Sequence, residues 1–239
     1  PFNFPSMIVF WFLPYAIATG NAFIVKPSEK VPLTMMKIFS LLDQLDLPKG
    51  LVSMVHGGKE TVDAILEHPT IKAISFVGST PVARYIYSKG TANGKRVQAQ
   101  GGAKNPVILL PDADIEMSTK IIADSVYGCA GQRCLAASTI VTVDDENRNL
   151  KDALYETVKS RTVGYGWDQG ISMGPVITPE SKNRITNLID IGISEGANVL
   201  LDGRKVKVLG YEQGNFIAPM ILENVNLNKK LTKTEIFGP

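Results

Sequence analysis

"AISFVGSTPVARYIYSKGTANGKRVQAQ", residues 73–100, sets the topology of the chain. Ala73–Val77 is a short apolar run, and Gly78-Ser79 punctuates it. Val82, Tyr85 and Ile86 then fall at helical spacing, and Arg96–Gln100 reads as a second strand. Strand, helix and strand at these lengths form a βαβ unit, whose two strands must run parallel. The same alternation extends upstream. "AFIVK" (22–26) reads as a strand, and a helix opened by Pro32 carries Met35, Ile38, Phe39 and Leu42. "GLVSMV" (50–55) is the next strand, followed by a helix from Lys59 to Glu67. The reading is α/β, with a parallel, Rossmann-type sheet covered by helices on both faces.

Downstream, "PVILLPDAD" supplies a strand, Asp114 to Tyr127 a helix, "STIVTV" a strand and Leu150 to Ser160 a helix. Thr178-Pro179 has the form of a helix start, a hydroxyl cap before a proline at the first helical position, with Ile185, Leu188 and Ile189 as the apolar stripe. A domain boundary is expected where the first βα series ends, giving residues 1–105 and 106–239. The apolar stretch from Pro5 to Val25 is too short for a membrane span once Pro14 interrupts it and Gly20-Asn21 ends it, so a buried helix and a buried strand are expected. The chain opens at Pro1 without Met and stops at "EIFGP", which reads as a fragment truncated at both ends.

Composition narrows the functional classes. The 239 residues are 44% hydrophobic and 20% charged, ordinary for a soluble globular protein. A net charge of +2 lacks the uncompensated basic surface that nucleic acid binding needs. Two cysteines and two histidines, His56 and His68 lying far from either thiol, give no zinc spacing and no disulfide framework, so no metal is expected and the thiols read as free.

Both cysteines lie in "GCAGQRCLAA" (128–137). Cys129, at the end of a helical pattern among Ala, Val and Tyr, reads as a buried, inert thiol. Cys134 follows Arg133, a cation that favours thiolate, and precedes Leu135-Ala136-Ala137, a helical turn whose backbone donors would do the same. The residues alone leave open whether it is a nucleophile or a packed thiol. "VHGGK" and "FVGST" place glycines at carboxyl ends of strands, where doubly wound sheets take ligands, but neither matches G-x-G-x-x-G. "SKGTANGK" lacks the spacing and the hydroxyl of a phosphate loop.

With "PFNFP", "FIVKPSE", "FVGST", "GGAKNP", "GQRC", "GNFIAP" and "EIFGP" in that order, the whole of this chain resembles the aldehyde dehydrogenase superfamily, whose members are about twice as long. The resemblance implies an NAD-binding domain followed by a catalytic domain, both partial. It assigns Cys134 as the nucleophile and Asn3 as a donor to the oxyanion. It also assigns Phe4, Lys26, Ser28, Glu29, Gly78, Ser79, Glu235 and Phe237 as contacts of NAD. Within the family, "RVQAQGGAKN", "GCAGQRCLA" and "LLDGRKVKVLGYEQGNFIAP" are similar to the branch that oxidises methylmalonate and malonate semialdehydes and passes the acyl group to coenzyme A.

Gln100 stands where other family members carry a glutamate. A neutral amide cannot take a proton from water, so thioester hydrolysis should be slow and a thiol acceptor favoured. Arg133 is a candidate for the carboxylate of a semialdehyde substrate, or else for tuning the thiolate. The resemblance further implies a homo-oligomer, dimer or tetramer, in the mitochondrial matrix of a eukaryote or otherwise in the cytoplasm. Any presequence would lie outside this stretch. The alternatives are a hydrolytic aldehyde dehydrogenase yielding a free acid, and a non-catalytic binding or assembly fragment.

Overall fold

A computed structural model describes residues 1–143 and 148–239. The chain divides into two compact units, Pro1–Gly102 and Ala103–Pro239.

The first unit begins with α1 (Met7–Ala18), then β1 (Phe23–Val25), α2 (Leu33–Leu42), β2 (Val52–Met54) and α3 (Lys59–Glu67). It ends with β3 (Ala73–Val77), α4 (Thr80–Ala92) and β4 (Arg96–Gln100). β1 pairs with β2 and β3 with β4, both parallel, so each pair closes a βαβ unit around one helix. Val25, Met35, Leu66, Val77, Ala83 and Ile86 are buried in this unit.

Three expectations for it need correction. Coverage of both sheet faces is not met within this stretch taken by itself, where Ala73 and Ser75 of β3 and Arg96, Gln98 and Gln100 of β4 are exposed on alternate positions. The pattern is that of strands packed on one side only, with period two between covered and open residues. Pro14 does not interrupt α1 but lies inside it. Its ring removes one N–H from the helix without ending it, and Thr19 and Gly20 close the helix through Tyr15 and Ile17 carbonyls. Nor is α1 buried throughout: Ile8 and Leu13 are, whereas Phe10 and Tyr15 are exposed. Among the described residues no helix is long and apolar enough to cross a membrane.

The second unit contains β5 (Asn105–Leu109), α5 (Ile115–Tyr127), a 3-10 turn (Gly128–Gly131), β6 (Ala137–Thr142) and α6 (Arg148–Lys159). α7 (Pro179–Ser194), β7 (Asn198–Leu201), β8 (Ile221–Glu223) and α8 (Lys230–Lys233) follow. Asp114 caps α5 by accepting from Met117 N, and Thr178 caps α7 by accepting from Ser181 N, with Pro179 next. β5 and β6 are parallel; β7 and β8, which periodicity did not reveal, are antiparallel. One core cluster joins Leu109, Ile122, Tyr127, Leu154, Val158, Val176, Ile185 and Ile217, and the buried Tyr127 hydroxyl donates to the Met220 carbonyl at 2.8 Å.

Candidate active site

The geometry around Cys134 starts at the amino end of β5. Pro106 has no N–H to give the ladder, and the β5–β6 register slips there: Asn105 pairs with Ala137 but Pro106 with Thr139. Where the ladder lapses, the Asn105 side chain substitutes for it. Its amide donates to the Cys134 carbonyl at 2.8 Å and to the Ala136 carbonyl at 2.9 Å. Ala136 N closes a turn onto the Arg133 carbonyl at 3.2 Å. The segment after Cys134 is therefore a single turn feeding β6, not the expected helical turn. The helix-end donors invoked for the thiolate are absent from it, because residues 137–142 are committed to the sheet. Cys134 is partly exposed on that turn, and both cysteines are free.

Cys129 also differs from expectation. It is exposed rather than buried, because the backbone there is left-handed: Cys129 at φ 53° and Ala130 at φ 52°, followed by Gly131 at φ 67°. Such a conformation costs about 1–2 kcal/mol for a residue with a Cβ. Gln132, buried, braces it. Its side-chain oxygen accepts from Ile177 N at 3.0 Å, and its backbone N–H donates to the Cys129 carbonyl at 3.0 Å.

The segment carrying Glu235 and Phe237 docks against this loop. A Cβ on Gly131 would overlap the Gly238 carbonyl and approach Pro239 N to 2.9 Å, so the two backbones touch. Arg184 on α7 donates to the Glu235 carbonyl at 3.3 Å and to the Ile236 carbonyl. Burial lowers the proton affinity of both Arg184 and Lys104, while the Glu235 carboxylate pulls each back up. The second unit thus gathers Cys134, Arg133, Glu235 and Phe237 with two cations that sequence reasoning did not single out. Asn105 and Arg184 were missed because each acts on a backbone carbonyl far away in sequence.

Arg133 lies over Gly128, with its guanidinium atoms 2.6–2.7 Å from where a Cβ at Gly128 would stand. Its Nε is buried without a partner, and the guanidinium makes no ion pair or hydrogen bond among the described residues.

In the first unit, Lys26 follows β1 and is held by backbone. Its ammonium donates to the Pro27 carbonyl at 2.7 Å and the Gly57 carbonyl at 2.8 Å, and meets Glu29 at 3.4 Å. Glu29 is exposed, and its carboxyl is held below the usual range, first by its own backbone N–H and then by Lys26. Ser28 Oγ accepts from Lys30 N at 3.3 Å. Ser79 begins α4 from an extended conformation with its hydroxyl unused as a cap, and it is exposed. Gly78 before it has no room for a Cβ beside the Phe76 ring. Asn3 and Phe4 sit in a bend before α1, where Ser6 holds the capping position. Gln100 is exposed at the end of β4. Among the described residues, no three His, Cys, Asp or Glu side chains converge as a metal site.

Comparison with known proteins bears on this arrangement. The profile of the aldehyde dehydrogenase family matches residues 1–239. Over all 239 residues the chain is 48% identical to the acylating, mitochondrial methylmalonate-semialdehyde/malonate-semialdehyde dehydrogenase of Rattus norvegicus, of which it covers 44%. It is 45% identical to the malonate-semialdehyde dehydrogenase of Pseudomonas aeruginosa, covering 48% of that protein and all of itself. A Sinorhizobium meliloti 1021 chain, assigned as a methylmalonate-semialdehyde dehydrogenase and solved complexed with NAD, superposes with a TM-score of 0.97 at 47% identity. The match takes in 100% of this chain and 49% of that one. The chain spans about half the length of these relatives. The chain belongs to the aldehyde dehydrogenase family.

Proposed function

We propose that this chain supplies the nucleophile and most of the cofactor contacts of an NAD-dependent, acylating dehydrogenase of methylmalonate and malonate semialdehydes, with coenzyme A as acyl acceptor. The observation that carries the reading is Arg133, a partly buried residue next to Cys134 in sequence, whose guanidinium has no ion-pair partner among the described residues. Such a cation suits an aldehyde that bears its own carboxylate, through paired N–H donors. The relatives named for these semialdehydes support the same class.

The residues in place suit NAD. Glu29 offers an exposed carboxylate for ribose hydroxyls and would repel a 2′-phosphate. Ser79 and the start of α4 offer donors to a pyrophosphate. Lys26 and Ser28 stand beside Glu29, Phe4 lies in the bend before α1, and Glu235 and Phe237 would take the nicotinamide side. NAD, when bound, supplies the hydride acceptor.

Cys134 as thiolate adds to the aldehyde carbon. The resulting oxyanion takes a hydrogen bond from the Cys134 backbone N–H and, in this proposal, from the Asn3 amide; one such donor is worth about 2.7–4 kcal/mol of barrier. Loss of hydride leaves a thioester on Cys134. Gln100 cannot activate water, so the thioester persists until the thiol of coenzyme A attacks its carbonyl and releases Cys134. Loss of the substrate carboxylate as carbon dioxide would give propionyl-CoA, or acetyl-CoA from malonate semialdehyde. The mitochondrial name of the rat relative favours the matrix in a eukaryotic source, and a dimer or tetramer is proposed on the family resemblance alone.

Product analysis tests the reading on the enzyme containing this chain. With NAD, methylmalonate semialdehyde and coenzyme A we expect propionyl-CoA and steady NADH. Without coenzyme A, a burst near one equivalent should be followed by a stall. Undiminished NADH production and free acid without coenzyme A would replace the proposal with the hydrolytic reaction.

A further inference from the structure

We propose that Gly128 is a specificity-determining residue, the cradle that receives the guanidinium of Arg133, the residue next to Cys134, and so selects aldehydes that carry a carboxylate. The inference rests on the carboxylate role given to Arg133 above, and extends it to a residue that need not touch substrate.

The backbone at Gly128 does not call for glycine. Its φ of −58° and ψ of 137° are ordinary for any L-residue. Glycine is there for space. A Cβ would stand 2.6 Å from Arg133 Cζ and 2.7 Å from each terminal nitrogen, well inside contact distance, and the guanidinium supplies its three nearest atoms. A methyl at 128 and the present Arg133 position exclude each other.

What yields is the arginine. Its guanidinium is the far end of a flexible side chain, and it is held by packing rather than by bonds, with Nε buried unpartnered and no carboxylate or carbonyl accepting from it among the described residues. A substitution at 128 should therefore cost little in folding while swinging the charge out of place. Gln132 on one side and Asn105 on the other fix the backbone around Arg133 independently of its side chain, so the turn bearing Cys134 keeps its shape.

The quantity read is the ratio of kcat/KM for malonate semialdehyde to that for propionaldehyde, which has similar reacting atoms and no carboxylate. For Gly128→Ala and Gly128→Val the ratio should fall by about tenfold to a hundredfold, the range for losing a charged hydrogen bond, with thermal unfolding and NAD affinity near wild type. Arg133→Leu should lower the ratio comparably. In the double variant Gly128→Ala/Arg133→Leu, the second change should add almost nothing, because both remove one interaction.

Three outcomes would overturn the inference or its basis. An unchanged ratio in Gly128→Ala, with Arg133→Leu showing the loss, would sink the cradle and leave the arginine's role standing. An unchanged ratio in Arg133→Leu would sink the carboxylate reading itself. Additive losses in the double variant would show Gly128 acting by a route that does not pass through Arg133.

Discussion

Asn105 does more for the proposed nucleophile, Cys134, than its place at a strand end suggests. One amide group donates to the carbonyls on either side of Leu135, where the proline beside it has broken the ladder. Replacing it with Leu leaves two partly buried carbonyls without those donors, at about 1–3 kcal/mol, and loosens the backbone N–H of Cys134, the proposed oxyanion donor. Asn105→Leu should slow the NADH burst by about tenfold or more while leaving the NAD dissociation constant within about twofold. Asn105→Ser, which keeps a donor, should recover part of the burst rate. A burst unaffected by Leu, measured by stopped-flow fluorescence, would refute the positioning role. Sequence reading singled out Cys134 and Arg133 as candidates because a thiol and a cation stand together in a ten-residue window, and the family resemblance assigned the nucleophile's role to Cys134. It passed over Asn105 because the carbonyls it serves lie about thirty positions away.

Elements were legible wherever local chemistry announced them. β3 and β4 lie where the apolar runs put them, and Thr178-Pro179 opens α7 through the bond its hydroxyl was expected to make. β7 and β8 were missed because they are short, antiparallel and joined across a long irregular stretch, so neither period nor punctuation marks them. Also invisible was how α3 fastens to α4. Asp63 accepts from Lys59 at 2.6 Å, Lys89 at 3.0 Å and the Tyr85 hydroxyl, and Lys89 also pairs with Glu67 at 2.8 Å. Those donors, Lys59 foremost and then Tyr85 and Lys89, hold the Asp63 carboxyl well below the usual range.

A carboxyl depressed on folding stabilises the folded state fully above its unfolded pKa, roughly 3.9. The contribution drains away as pH falls toward the folded value. Asp63→Asn should therefore lower the unfolding temperature modestly at neutral pH, since the cluster is exposed to solvent. The gap from wild type should shrink progressively below about pH 4. Thermal scans from pH 7 to pH 3 with a constant gap would rule out Asp63 as its source.

At the scale of the whole chain, two βαβ repeats build the first unit, while the second unit draws its site from both of its ends. Periodicity predicts the former because each pair of strands is closed by its own helix. It says nothing of the latter, where Gly131 and Gly238 meet backbone to backbone. That meeting holds the segment that carries Glu235 and Phe237 against the loop that leads to Cys134, and it tolerates no side chain at Gly131. Gly131 has φ of +67°, which an alanine adopts only under strain, and a methyl there would overlap the Gly238 carbonyl, a group that cannot rotate away.

Gly131→Ala should thus combine a backbone penalty of about 1–3 kcal/mol with displacement of the docked segment. The unfolding temperature should fall by several degrees and, if Glu235 and Phe237 contact NAD as proposed, NAD affinity by about tenfold or more as they lose their seat. Gly210, also at positive φ but with open space around its would-be Cβ, is the control: Gly210→Ala bears strain alone and should leave NAD affinity untouched. Equal NAD titrations for the two variants, read by quenching of intrinsic fluorescence, would mean that the Gly131–Gly238 contact has no part in seating the cofactor.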